Sequence, residues 1–254
     1  MSDYQVNLDI ALVREDETLD DLQLKGIHII QKKEGFRFGV DAVLLANFAE
    51  VKKRHRVMDL CTGTGIIPLI IKGKKEPQYV AGLEIQDEFA EMAKRSIEIN
   101  KFQESMDFIC GDLKDKKELK KMQKFDVVTV NPPYKLQNAG ILNPTDKTAI
   151  ARHEVACTLE DVIEAARILL KDNGRLYIVH RPERLADIFC LMRKHKIEPK
   201  RVRMVHPNTK KAANIVLVEG QRDGGAYLKW EPPLYVYDDN GGYSEEIDEI
   251  YGRE

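Results

Sequence analysis

The chain has 254 residues, 43% of them hydrophobic and 32% charged, with a formal net charge of −2 and a mean hydropathy of −0.41. That size and apolar content suit one large α/β domain with small additions and exclude a disordered chain. No apolar run reaches the roughly 18 residues of a membrane helix, and the acidic start (Asp3, Asp9, Glu15-Asp16-Glu17) carries no apolar stretch behind basic residues, so a cytoplasmic protein is expected.

In chain order, residues 24–31 read as a short strand or hairpin and residues 41–51 as a helix. From residue 55 short β-rich runs alternate with amphipathic stretches. Residues 56–61 form a strand and Gly65 opens a helix. A strand over 79–85 precedes a helix over 87–100, in which Phe89, Met92, Ala93, Ile97 and Asn100 recur at helical spacing. Strands at 106–110 and 125–130 flank a lysine-rich helix. A helix over 159–171 stops at Asn173-Gly174, followed by a strand (176–180), a helix (183–196) and two strands (202–206 and 215–219) with no helical pattern between them. This alternation predicts an α/β, doubly wound, mostly parallel seven-stranded sheet with an antiparallel edge strand. The chain divides into an N-terminal extension with a covering helix (1–54), a main domain (55–220) and an acidic tail (221–254). The tail's aromatics (Tyr227, Trp230, Tyr235, Tyr237) predict that it docks on the body, and its last dozen residues read as frayed.

Charge is unevenly placed. Residues 1–21 hold seven acids and one base, and residues 231–254 eight acids and one base, which leaves a net +11 on residues 22–230 and suggests a polyanion as partner. Cys61, Cys110, Cys157 and Cys190 are scattered without a CxxC pair, and the histidines form no HxH or HExxH cluster. The thiols therefore read as small core residues, and neither a metal site nor a redox pair is expected.

The first strand runs into Asp59-Leu60-Cys61-Thr62-Gly63-Thr64-Gly65. Gly63 and Gly65 let the backbone turn sharply and approach a ligand closely. Pro68 replaces the third glycine of a dinucleotide fingerprint and no GK[ST] follows, so the loop suits a cofactor with an amino-acid moiety rather than a pyrophosphate. Glu84, with Ile85 beside it, ends the second strand, where a carboxylate accepts both hydroxyls of a ribose. Asp112, followed by Leu113, comes after the third strand, within reach of an exocyclic adenine amine. Asp87 and Asp115 read as helix caps. Three acids at three consecutive strand ends, with the glycine loop on the first, resemble the S-adenosylmethionine pocket of class I methyltransferases.

The fourth strand runs directly into Asn131-Pro132-Pro133-Tyr134. Two prolines at the exit of a central strand remove two backbone donors, leaving a rigid loop that presents acceptors. A planar nitrogen is a poor nucleophile because its lone pair is delocalised. Hydrogen bonds from its N–H groups to the Asn131 side chain and the Pro132 carbonyl localise that pair and aim it at a sulfonium methyl, while Tyr134 stacks on the planar group.

N-P-P-Y is the signature of class I enzymes that methylate planar nitrogens of adenine, guanine, cytosine or glutamine. With residues 35–46 (G-F-R-F-G-V-D-A-V-L-L-A) and Ala151-Arg152-His153-Glu154, the chain resembles the bacterial tRNA(Val) adenine-N6 methyltransferase family over about residues 20–220. The resemblance implies a Rossmann-like class I fold, S-adenosyl-L-methionine as cofactor, cofactor contacts from Phe38 and Asp41, and the adenosine 3′ of the anticodon as target. Alternatives of the same chemistry are a release-factor type glutamine-N5 enzyme, disfavoured because the 58 residues before Asp59 do not read as a helical bundle, and an rRNA guanine-N2 enzyme. A DNA adenine enzyme lacks room for a target-recognition domain, and a catalytically silent RNA-binding protein is the non-enzyme reading. Among the basic clusters (Lys52-Lys53-Arg54, Lys200-Arg201 with Arg203, Lys210-Lys211), Lys210 and Lys211 are expected to meet tRNA phosphates because their loop lies near the catalytic end, as is Arg181 after a strand end. The lysine-rich 114–124 segment reads as a solvated helix face.

Overall fold

Each central strand carries apolar side chains in both directions, and that dictates the architecture, because a strand that is apolar on both faces needs helices on both. The computed structural model describes residues 10–34, 38–133 and 157–253. Strands β3 (Arg56–Leu60), β4 (Tyr79–Glu84), β5 (Met106–Cys110), β6 (Phe125–Val130), β7 (Leu170–His180), β8 (Ile197–His206) and β9 (Ile215–Arg222) form the body of one sheet. Their order is β5-β4-β3-β6-β7-β9-β8, and two short strands, β10 (Lys229–Trp230) and β11 (Leu234–Tyr235), pair with the outer side of β8. All pairings from β5 to β7 are parallel. The antiparallel strand is β9, which lies one place inside the expected edge, between β7 and β8.

Successive residues on these strands supply two cores. Val57, Val80 and Val127 join the cluster that holds α1 (Val40–Phe48), α2 (Ile66–Lys75) and part of α3 (Asp87–Ile99). Met58, Ala81 and Val128 join the cluster under α4 (Lys116–Lys121), α5 (Leu159–Leu169) and α6 (Leu185–Lys194). Helix α1 buries Ala42 through Ala46 as an unbroken run, the pattern of a helix apolar all round and enclosed by the body.

Ahead of the sheet, β1 (Glu17–Asp21) and β2 (His28–Lys32) make an antiparallel hairpin, which begins earlier than the strand or hairpin expected over residues 24–31. It docks on α3: the Ile30 N–H donates to Ser96 Oγ at 3.0 Å, and Arg95 grips buried Glu17 through two nitrogens at 2.6 and 2.7 Å.

Several boundaries differ from the sequence reading. The helix expected to 171 ends at Leu169, because Leu170 already pairs with Phe125 and starts β7; Asn173 then takes a left-handed φ of 60° inside that strand. Asp87 is the first residue of α3 rather than its cap, a place taken by Gln86, and its Oδ1 accepts from Cys110 Sγ at 2.8 Å. Asp115 does cap α4, accepting from the N–H groups of Lys117 and Glu118. Two thiols, Cys61 and Cys157, are half-buried and pack against the second core, but Cys110 and Cys190 are exposed rather than core residues. The end of the tail is a capped helix, α7 (Glu245–Tyr251), pinned by fully buried Ile247.

Candidate functional site

Strands β3, β4, β5 and β6 are parallel, so their carboxyl ends share one edge. The chain leaves β3 for β4 on one side and later returns to add β6 on the other, which opens the crevice where open α/β sheets bind ligands. Leu60 lies opposite Leu83 and Val130, and Glu84 opposite Cys110. This register brings the glycine loop, Glu84, Asp112 and Asn131-Pro132-Pro133 to that edge.

The loop after β3 turns through left-handed conformations at Cys61 (φ 55°), Gly63 (φ 56°) and Gly65 (φ 86°). A Cβ at Gly65 would come within 2.4 Å of the Phe108 ring, whereas around Gly63 a Cβ would meet no atom within 4 Å. Gly65 therefore allows the loop to close against β5, and Gly63 leaves space for a ligand to lie on the backbone. Glu84 is only 5% exposed. Its Oε2 accepts the Gly63 N–H at 2.8 Å and its Oε1 the Gln86 N–H at 3.1 Å, so it braces the loop while keeping lone pairs for a ligand.

Beside it is an open cleft lined by Glu84, Ile85, Asp112, Leu113 and Pro133, together with Cys61, Leu83, Gly111 and Cys157. Asp112 accepts the Lys114 N–H at 2.8 Å through Oδ1. Ile85 is 44% exposed, an apolar side chain presented at the cleft. The residues not anticipated at this cleft are Cys61, Leu83, Gly111 and Cys157. The first three adjoin anticipated positions, so strand-end placement was their signal. Cys157 lies 24 residues beyond Pro133 and enters only by folding. Both Cys61 and Cys157 are free thiols, and the hydrogen bond between them, with burial second, raises the Cys61 thiol well above the usual range.

Under the loop, Asp59 is fully buried. Its Oδ1 accepts from Thr129 Oγ1 at 2.6 Å, and the Thr62 hydroxyl also stabilises its charge. Burial pushes the Asp59 carboxyl up to about 7. Two strand-end carboxylates and clear space over Gly63 fit a ligand with ribose hydroxyls and an exocyclic amine, as S-adenosylmethionine has.

Asn131 and Pro132 follow β6 directly, and Pro132 is buried. Tyr134, His153 and the rest of 134–156 lie outside the described residues, as do residues 35–37. Phe38 does not join the cleft of Glu84. It lines a neighbouring one with Val43, Ile66, Ile70 and Tyr251, on the α2 side of the glycine loop. Asp41 is half-buried in the first turn of α1 and lines neither cleft.

The basic residues separate by position. Lys210 and Lys211 are exposed, in the loop joining β8 to β9 at the carboxyl edge. Arg181, just after β7, donates through Nη1 to the Asn214 carbonyl at 3.0 Å, so it sits at the base of that same loop. The other clusters are used elsewhere. Arg201 binds Glu219 at 2.8 Å and Glu50 at 2.9 Å, and Arg203 binds Glu246 at 2.5 Å. Lys53 binds Glu76 at 3.0 Å and lies with Lys52 and Arg54 before β3, at the opposite edge.

Residues 38–195 match the family model of the methyltransferase small domain. The chain is similar to curated relatives that carry the name tRNA1(Val) (adenine(37)-N6)-methyltransferase. The Porphyromonas gingivalis protein is 30% identical over 175 residues, covering 66% of this chain and 68% of that one. The Dyadobacter fermentans protein is 24% identical over 222 residues, covering 86% and 90%. The Bacteroides thetaiotaomicron protein is 29% identical over 158 residues, 62% of this chain and 65% of its own length, just under two thirds. Among solved structures, the predicted O-methyltransferase Atu636 of Agrobacterium tumefaciens has a TM-score of 0.67 at 21% identity, covering 84% of this chain and 95% of that one. Methanocaldococcus jannaschii Trm5 in complex with adenosine has a TM-score of 0.56 at 15% identity, covering 84% and 57%. These likenesses establish the fold. Among the described residues no helix is long and apolar enough to cross a membrane.

Proposed function

Because the chain belongs to the methyltransferase small domain family and is an S-adenosylmethionine-dependent N-methyltransferase, we propose that its substrate is tRNA and its target the N6 amine of the adenosine 3′ of the anticodon of tRNA(Val). The observation that carries this reading is the sharing of one cleft by Glu84, Asp112 and Pro133. It sets an acceptor loop suited to a planar amine against a pocket suited to an adenosyl cofactor. The family of relatives supports the choice of adenine within tRNA.

When bound, the cofactor supplies an electrophilic methyl group on sulfur. The protein's part is to bind and orient. Glu84 accepts the ribose hydroxyls and Asp112 the adenine amine, with Ile85 and Leu113 flanking them and Gly63 permitting close approach. Asn131 Oδ1 and the Pro132 carbonyl accept the two N–H groups of the substrate amine. These bonds turn the lone pair out of conjugation and toward the cleft. Pro132 and Pro133 hold that corner rigid, and Tyr134 is assigned to stack on the target base. Phe38 approaches from the α2 side through the neighbouring cleft. Lys210, Lys211 and Arg181 neutralise substrate phosphates beside the opening. No strong base is required, since the amine becomes acidic once alkylated and loses its proton to solvent.

The test uses methyl-labelled cofactor, the purified protein and unmodified tRNA, digested to nucleosides. Label in N6-methyladenosine is the expected result, and Asn131→Ala should lower turnover by about 100-fold or more with cofactor affinity unchanged. Label in N2-methylguanosine overturns the adenine assignment. Label only in release-factor glutamine overturns the tRNA assignment, and wild-type turnover by Asn131→Ala overturns the lone-pair argument.

A further inference from the structure

Ile85 faces the cofactor cleft. Apart from it, the exposed large hydrophobic side chains among the described residues are all tail aromatics: Tyr227 at 68%, Trp230 at 57%, Tyr237 at 41% and Tyr243 at 42%. Aromatic rings bury large areas when they can, so a cluster of them left on one surface marks a binding face. We infer that this aromatic edge is the surface on which the enzyme holds unpaired bases of its RNA substrate, an inference that rests on the tRNA reading above.

The strand register places the edge. Trp230 lies opposite Val202 and Tyr235 opposite His206 on β8, so the tail ascends the outer edge of the sheet in parallel with β8, over about 13 Å for four residues. β8 in turn runs in the same direction as β3 and β6, being antiparallel to β9, which is antiparallel to β7. The aromatic path therefore leads toward the edge that carries the cofactor cleft. At its upper end the Tyr237 N–H donates to the Pro207 carbonyl at 2.9 Å, at the start of the loop with Lys210 and Lys211.

There the rings form a ladder. Tyr237 and Tyr243 stack with centroids 5.3 Å apart and planes 16° apart, Tyr243 and Tyr251 with centroids 6.3 Å apart, and the Arg253 guanidinium lies 4.8 Å from the Tyr251 centroid. At the lower end Lys200 Nζ lies 5.8 Å from the Tyr227 centroid. Aromatic faces alternating with cations are the surface that takes single-stranded nucleic acid, because every base offers a π-face and every linkage a phosphate.

Among the tail's acids, Glu231 and Glu246 are neutralised by arginines of the body, while Asp238, Asp239, Glu245 and Glu249 are exposed and oppose an RNA. Glu231 binds Arg201 at 3.3 Å and Glu246 binds Arg203 at 2.5 Å. Asp239 accepts from Thr209 Oγ1, and Asp238 accepts the Asn240 and Gly242 N–H groups of its own turn. A protein partner would need an apolar counterpart but not the interleaved cations.

Trp230 is the chain's sole tryptophan, so its fluorescence reports on this edge alone. The experiment titrates the full chain with an unmodified anticodon stem-loop RNA and measures initial rates with unmodified tRNA. The expected result is saturable quenching, with Trp230→Leu and Tyr237→Ala each raising KM for tRNA about 5- to 100-fold at unchanged kcat and cofactor affinity. Trp230→Phe, which keeps a stacking ring, restores a near wild-type KM. Methylation of tRNA without quenching, and with the KM of both variants within twofold of wild type, refutes the aromatic edge and leaves the tRNA reading standing. Equal losses in Trp230→Leu and Trp230→Phe also refute stacking. Absence of tRNA methylation by the wild-type protein refutes the reading beneath it.

Discussion

Replacing Gly65 by alanine isolates the device that closes the glycine loop. Two costs are readable at this position. The left-handed φ of 86° strains a residue bearing a Cβ by about 1–2 kcal/mol. The added carbon would also lie 2.4 Å from Phe108 Cζ and 3.0 Å from two further ring atoms, and Phe108 is 1% exposed, with no room to retreat. Overpacking of this kind costs about 1–3 kcal/mol. Together the loss is about 2–5 kcal/mol, a fall in melting temperature on the order of 10 °C for a chain of this size. Gly63→Ala is the internal control. Its φ of 56° brings the same strain, but nothing lies within 4 Å of the new carbon, so the loss is about 1–2 kcal/mol while the ligand's approach is blocked. Urea unfolding followed by circular dichroism, paired with calorimetric titration of the cofactor, separates the two. Gly65→Ala should cost clearly more stability than Gly63→Ala, and Gly63→Ala should lose cofactor affinity out of proportion to its stability loss. Combining Gly65→Ala with Phe108→Leu should cost about 1–3 kcal/mol less than the sum of the single changes, because the ring is the obstacle. Equal losses for the two alanines, with additivity in the double variant, would refute the wedge.

Two buried groups predict opposing pH effects in the cofactor-free protein. Asp59, held by burial at about 7, takes up a proton on folding, so its contribution is lost as pH rises from about 4 through 7. His180, held by burial at about 4, stays neutral on folding, and its contribution is lost as pH falls from about 6.5 through 4. Each contributes a slope of about 1.4 kcal/mol per pH unit, of opposite sign, so they offset one another between about pH 4 and 6.5. Urea midpoints should rise with pH in Asp59→Asn and fall in His180→Gln relative to wild type; identical profiles in all three would sink the assignment. Glu84→Ala removes both the brace on the Gly63 N–H and the proposed ribose acceptor. It should weaken cofactor binding roughly 10- to 100-fold, as loss of charged hydrogen bonds does. An unchanged dissociation constant by titration calorimetry would remove Glu84 from the pocket.

The sheet was legible because its strands signal locally. Val57-Met58-Asp59-Leu60 and Val127-Val128-Thr129-Val130 are runs apolar on both faces, which only a covered parallel sheet satisfies. The glycine loop, Glu84, Asp112 and Asn131-Pro132-Pro133 were legible for a related reason: each lies at a strand's end, and parallel strands bring their ends to one edge. The position of β9 between β7 and β8 was not legible, since either order buries the same apolar residues. Nor was the placing of Cys157 in the cleft, or the split of Phe38 from Glu84, because both depend on segments remote in sequence. Charge shows the division best. Composition along the chain marked a basic body between acidic ends. Only the tertiary structure decided that Arg201 and Arg203 are consumed by Glu219, Glu50 and Glu246, while Lys210 and Lys211 stand exposed at the carboxyl edge. Residue type and spacing carry what is local, the turn, the strand and the acceptor. Which charge meets a partner depends on pairings across the whole chain, and those exist only once it is folded.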